Sequence, residues 1–235
     1  MTSAQGLLLP IGLSLAVALG ACSRPAKPVE KTKAETAAVP APLPPADAPA
    51  GDAPAGDYVM DLSHTSVNFR VSHLGLSYYT ARFTEVDGKL AFDPAHPSGQ
   101  SVTASIDARS LQTNYPDPAE LDFDTKVEDE FFDAAKHPRI TFVSTRVEPT
   151  GPRTARVIGD LSLHGVTRPV TLAATFNGGY KAGQMDPSGA RIGFSAPGAF
   201  RRSDFGIGYG IPAPGTTMGV GDLVQVTIES EFTRK

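Results

Sequence analysis

Residues 153–176 read RTARVIGDLSLHGVTRPVTLAATF, and this stretch decides the fold. Ala155, Val157, Gly159, Leu161 and Leu163 alternate with Thr154, Arg156, Asp160 and Ser162. After His164-Gly165, Val166, Val170, Leu172, Ala174 and Phe176 alternate with Thr167, Pro169, Thr171 and Thr175. A period of two places each apolar set on one face of a β-strand. His164-Gly165 sits where the chain must reverse. The stretch is an antiparallel hairpin with one dry face and one wet face. A lone hairpin is marginal in water, so the dry face needs a cover. Whether that cover is a packed core or a ligand is the functional question.

The same one-faced alternation recurs on both sides of the hairpin. Upstream, Val67, Phe69, Val71 and His73 oppose Asn68, Arg70 and Ser72. Residues 79–85 read as a second strand around Phe83, Asp87-Gly88 predicts a hairpin turn, and residues 89–92 return. Val102, Ala104, Ile106 and Ala108 form another set, and residues 140–147 another. Downstream come Ile192, Phe194 and Ala196, then Val224, Val226, Ile228 and Phe232. Residues 115–137 break the pattern. Asp117-Pro118-Ala119-Glu120 reads as a helix start, and Leu121, Val127, Phe131 and Phe132 follow at loose helical spacing. This predicts a short helical insert near 117–136.

Eight or nine one-faced strands without a βαβ period make an all-β, antiparallel fold. Such strands dispose of their edges by closing into a barrel or pairing as a sandwich. About eight strands enclose an interior just wide enough for side chains or one small ligand. The candidate inward, ligand-binding residues are Val67, Phe69, Val71, Ile106, Phe142, Leu161, Leu163, Val170, Leu172, Phe194, Val226 and Ile228. Ala104, Gly159, Ala174 and Ala196 on the same faces leave room. The pattern alone leaves a dry core and a cavity equally open.

The N-terminal quarter differs in kind. Residues 1–22 carry no charged side chain, and an apolar run from Leu7 to Leu19 has the size of a signal-peptide core. It ends in Leu19-Gly20-Ala21-Cys22, which resembles the bacterial lipobox. There the Cys receives lipid and becomes the new N-terminus. Residues 1–21 are thus expected to be a lipoprotein signal peptide and Cys22, the sole cysteine, a membrane anchor. The Lys or Arg that usually precedes the apolar core is absent. Ser23, rather than Asp, after the Cys favours the outer membrane over the inner. Residues 22–57 are rich in Pro and Ala and nearly devoid of large apolar side chains, which predicts a disordered, extended tether. The folded domain is expected over residues 58–235, on the periplasmic side of a membrane.

Chemistry-bearing motifs are sparse. With 21 basic and 25 acidic side chains and no basic patch, nothing points to nucleic acid. The five histidines form no H-x-x-x-H pair and there is one Cys, so no metal site is expected. Glu128-Asp129-Glu130 reads as solvated charge on a helix surface rather than an acid–base pair. Gly206-Ile207-Gly208-Tyr209-Gly210 lacks the βαβ unit of a nucleotide loop, and Asp204-Phe205-Gly206 lacks every other kinase feature. No catalytic residue and no cofactor are expected. An enzyme on this scaffold would have to use His64, His73 or His164, should they meet at a barrel mouth.

Several stretches together resemble the YceI-like family of lipocalin-like, polyisoprenoid-binding periplasmic proteins. They are Tyr58 to Phe69, with His73 beyond; Phe83 with Asp87-Gly88-Lys89-Leu90-Ala91-Phe92-Asp93; Glu130 to Phe142; Gly159 to Thr167; and Asp204-Phe205-Gly206. The resemblance implies an extended antiparallel barrel of about eight strands whose interior holds a polyisoprenoid or isoprenoid quinone, for storage or transport. It implies no catalysis and no metal. One run departs from it. Family members usually carry Arg-Asp-x-His-Leu before the paired Phe; here Phe123-Asp124-Thr125-Lys126-Val127 stands there, keeping only the Asp. If that run shapes the cavity mouth, the ligand differs from the family's usual one. A stress-related interaction module with a packed core is the competing non-enzymatic reading. The oligomeric state is left open, a homodimer included.

Overall fold

A computed structural model describes residues 38, 40–45, 50–183, 186, 187 and 189–235. The predicted signal peptide, Cys22 and most of the tether lie outside the described residues. In chain order the elements are β1 (Gly56–His73), β2 (Ser77–Phe83), β3 (Val86–Phe92), β4 (Ser101–Asp107), β5 (Leu111–Gln112), α1 (Phe123–Val127), β6 (Arg139–Pro149), β7 (Thr154–Leu163), β8 (Val166–Tyr180), β9 (Ala190–Arg201) and β10 (Val220–Arg234).

The strands form one antiparallel sheet in the order β10-β9-β8-β7-β6-β4-β3-β1-β2-β5, and β10 also pairs with β1. That last pairing closes the sheet. It runs from Val59 opposite Thr233 to His73 opposite Val220. β2 and β3 both pair with β1, and β4 and β5 follow the same course alongside, so each pair acts as one bent strand. The result is a closed barrel of eight walls, a number whose interior is just wide enough for side chains or one small ligand.

The opening hairpin is β7–β8. Leu163 pairs with Val166 across His164 (φ 52°) and Gly165 (φ 74°), two left-handed residues as a two-residue hairpin turn requires. The Asp87-Gly88 turn is not formed. Both residues lie inside β3, where Asp87 accepts a hydrogen bond from Ser105 and Gly88 faces Met60 and the Thr103 carbonyl. The glycine there makes space for packing rather than reversing the chain; β2 runs on into β3 because both must pair with β1. β1 itself carries an irregularity between Asp61 and Ser66, which lets one 18-residue strand follow the bent β2–β3 wall.

The helical insert is shorter and later than its sequence suggests. Asp117-Pro118 makes only a turn, and Asp122 caps α1 by accepting from the Thr125 N–H. A π-helical turn, Glu128–Phe132, continues it and stops at Asp133 (φ 45°). Residues 50–55, read from sequence as the end of the tether, lie along the barrel. Gly51 bridges Gly179, Ala53 is buried, and the Pro54 and Ala55 carbonyls accept from Tyr58 and Arg234. Small residues without bulky side chains can lie flat against a strand, which a count of apolar surface does not register.

Gly159 in β7 faces Phe142, and a Cβ there would stand 2.6 Å from the Val143 carbonyl oxygen. Backbone cannot yield as a side chain can. Gly159→Val is therefore expected to lower unfolding free energy by about 2–3 kcal/mol. Urea unfolding checks this; a wild-type midpoint contradicts it.

Candidate functional site

The inward faces of the strands leave an apolar cavity of about 530 Å³ at the barrel axis. Interiors packed to normal density hold few voids larger than a water molecule. A void this size falls in the range of ligand pockets. All of the inward residues read from the sequence line it: Val67, Phe69, Val71, Ile106, Phe142, Leu161, Leu163, Val170, Leu172, Phe194, Val226 and Ile228. Ala104, Ala174 and Ala196 line it too, as small residues that leave volume.

One end of the cavity is sealed by aromatic rings. Phe92, Phe176 and Phe194 pack with centroids 5.3–6.3 Å apart, Phe232 stands 6.2 Å from Phe194, and buried Tyr58 meets Phe92 edge-on at 5.8 Å. Offset and edge-to-face contacts of this kind add to the burial of the rings themselves. Ala53 covers the same cluster from outside the strands. This end is a floor.

The opposite end is capped by the helical insert. Phe132 sits over Phe69 and Phe83 at 6.4 and 5.6 Å. Phe123 packs between Tyr79 and Tyr115. Asp124 anchors the insert to the end of β5, accepting from the Thr113 N–H at 2.8 Å and from its hydroxyl. On the other side Phe131 is held between Tyr209, ring centroids 5.5 Å apart, and the Arg202 guanidinium, 5.5 Å from the ring centre.

Arg202 is only 3% exposed. Its guanidinium donates to the carbonyls of Gly221, Ile207 and Val220 at 2.7–3.0 Å, fixing the chain between β9 and β10 beneath the cap. Burial pulls its pKa down, yet an arginine stays charged. At this capped end Lys126 and Glu130 line the cavity and pair at 2.6 Å, with Tyr209 alongside, while Gln100, Ser101 and Ser230 are polar groups lining it elsewhere. The pairing with Glu130 raises the Lys126 pKa. Sequence reasoning missed Arg202 and Tyr209, since nothing in an Arg-Arg pair or a glycine-rich loop announces which side chain turns inward. Glu130 stays exposed, as its sequence reading as solvated charge has it, and its pairing with Lys126 places it at the rim of the cavity.

The histidines do not converge. His64 bonds Asp61, while His73 lies nine residues further along β1, about 30 Å at strand rise. His164 is bonded to the Phe205 carbonyl at 3.1 Å, with His137 edge-on at 5.6 Å. Asp61, His64 and Glu231 bring one ligand atom each within 4.8 Å of one another. A fixed cation already stands among them: Arg191 donates to Asp61 at 2.5 Å and to Glu231 at 2.6 Å.

The YceI-like domain family matches residues 58–232. This chain belongs to that family. A UPF0312 protein of Pseudomonas syringae pv. tomato is 43% identical over 175 residues, covering 73% of this chain and 84% of the relative. Among solved structures, BcnA of Burkholderia cenocepacia matches with a TM-score of 0.60 at 25% identity, over 73% of this chain and 98% of BcnA. A polyisoprenoid binding domain from Saccharophagus degradans matches with a TM-score of 0.54 at 15% identity, over 77% of this chain and all of that domain, and shares the fold. In this YceI-like barrel the run Phe123-Asp124-Thr125-Lys126-Val127 lies at the cap itself. Asp124 anchors it to Thr113, Phe123 joins an aromatic stack, and Lys126 lines the cavity.

His64, and then Arg191, hold the Asp61 carboxyl down to about 2. A lowered folded-state pKa contributes stability above the unfolded value near 3.8 and loses it as pH falls toward 2. The wild type is therefore expected to lose more stability between pH 4 and 2 than Asp61→Asn does. Parallel acid dependence of the two proteins, measured by thermal unfolding, contradicts this.

Proposed function

We propose that this protein is a periplasmic lipoprotein whose barrel binds an isoprenoid lipid, a polyisoprenoid or an isoprenoid quinone, for storage or transport. The observation that carries the reading is the apolar cavity of about 530 Å³, floored by aromatic rings and lined on every wall by aliphatic and aromatic side chains. A hydrocarbon chain needs no directional partners. Burial alone holds it, at about 25 cal/mol per Å² removed from water. Family membership and the polyisoprenoid-binding description of the Saccharophagus domain support the ligand class. The dispersed histidines favour a binding protein over an enzyme. A packed-core module is disfavoured by the size of the void.

The location rests on the sequence. Cys22 at the end of an apolar, uncharged leader supports lipid anchoring, with the outer membrane favoured by Ser23. A chain of residues 23–49 spans at most about 95 Å, enough to let the barrel work away from its anchor.

Two measurements test this. An organic extract of the protein purified from its own cells, read by mass spectrometry, is expected to contain a prenyl lipid in near-stoichiometric amount. An empty protein that also refuses added isoprenoid contradicts the reading. Cys22→Ser is expected to move the protein from the membrane fraction to the soluble one; unchanged partitioning contradicts lipidation.

A further inference from the structure

Granting the isoprenoid reading, the head group of the ligand has a definite place and charge. The aromatic floor of Phe92, Phe176, Phe194 and Phe232 closes one end, and no charged side chain lines it. A lipid with one polar terminus must lie with its tail on that floor and its head under the cap, where Lys126, Glu130 and Tyr209 stand.

The electrostatics of the cap decide which heads are admitted. Residues 117–133 contain Asp117, Glu120, Asp122, Asp124, Glu128, Asp129, Glu130 and Asp133 against a single cation, Lys126. Most of the described cations around the cap already have partners, and Arg82, on β2 beside the insert, donates to the neutral Gln112 side chain. Lys126 pairs with Glu130, Lys136 with Asp133 at 2.8 Å, and Arg109 with Asp107 at 2.7 Å. Arg202 is turned onto three backbone carbonyls and Phe131. None of the described ion pairs takes Asp122, Asp124, Glu128 or Asp129. The negative potential is felt within the cap: burial first, and then Asp124, Asp122 and Asp129, push the Glu128 pKa up. An anionic head brought here meets uncompensated like charge and would have to displace Glu130 from Lys126. A hydroxyl or carbonyl oxygen needs neither. The Lys126 ammonium has three N–H groups, of which Glu130 takes one, so donors remain for an uncharged oxygen.

We propose that the cavity selects prenyl lipids with an uncharged oxygen head, an alcohol, phenol or quinone, bound head-outward under Lys126, and that the acidic cap discriminates against prenyl phosphates and diphosphates. The cap is thus a charge filter as well as a closure.

The test compares geranylgeraniol with geranylgeranyl diphosphate, identical in tail, for binding to the full chain by competition against a fluorescent apolar probe. The alcohol is expected to bind roughly tenfold or more tightly than the diphosphate in low salt. The gap is expected to narrow as salt screens the cap. In the triple variant Asp122→Asn, Glu128→Gln, Asp129→Asn, where Asn still caps α1, diphosphate binding is expected to strengthen and alcohol binding to stay unchanged. Equal or tighter binding of the diphosphate by the wild type overturns the charge filter and leaves the isoprenoid reading standing. So does a triple variant that leaves the gap unchanged. Binding of neither compound overturns the isoprenoid reading and this proposal with it.

Discussion

Closure of β1 against β10 is the constraint on which the rest of the structure depends. Fifteen residues of β1, from Val59 to His73, run beside β10 with two breaks in register, between Asp61 and Ser66 and between Val71 and His73. That pairing removes the two free edges a sheet of this length would otherwise expose. It also converts a set of one-faced strands into an enclosed volume. Because side chains alternate with period two, the register that closes the barrel also sends Val67, Phe69, Val71, Val224, Val226 and Ile228 to the same interior. A slip by one residue would turn all of them outward.

Given closure, the two ends of the barrel are treated differently. One end is filled by residues from β1, β3, β8, β9 and β10, all rigid strand positions whose rings interlock. The other is filled by an insert of eighteen residues between Asn114 and Asp133, both at positive φ. The insert is fastened by Asp124 to Thr113, by Phe131 between Tyr209 and Arg202, and by the packing of Phe123 and Phe132 on neighbouring rings. A strand-built floor is expected to open only with the barrel. The Lys126–Glu130 ion pair lies at the capped end.

The walls were legible because strand periodicity is a local signal. All twelve residues read as inward from the sequence line the cavity, Val71 and Ile228 among them. Asp87-Gly88 misled because a turn dipeptide says nothing about crowding; the closeness of Met60 and Thr103 to Gly88 is a tertiary fact. The cap was half legible. Phe131-Phe132 stood out from the alternation, yet the start of the helix at Asp122 and the π-helical turn that follows it depend on how the insert must fit the barrel mouth. Arg202 was invisible, since a buried arginine bonded to carbonyls looks in sequence like any surface arginine.

The central claim is that the space between aromatic floor and helical cap is the seat of a hydrocarbon chain. A crystal structure of the protein purified from its own cells tests this most directly. The account predicts continuous, elongated electron density running from Phe194 to the underside of Phe132 and ending in a polar group near Lys126. A cavity filled by ordered water, or closed by its own side chains, would contradict it.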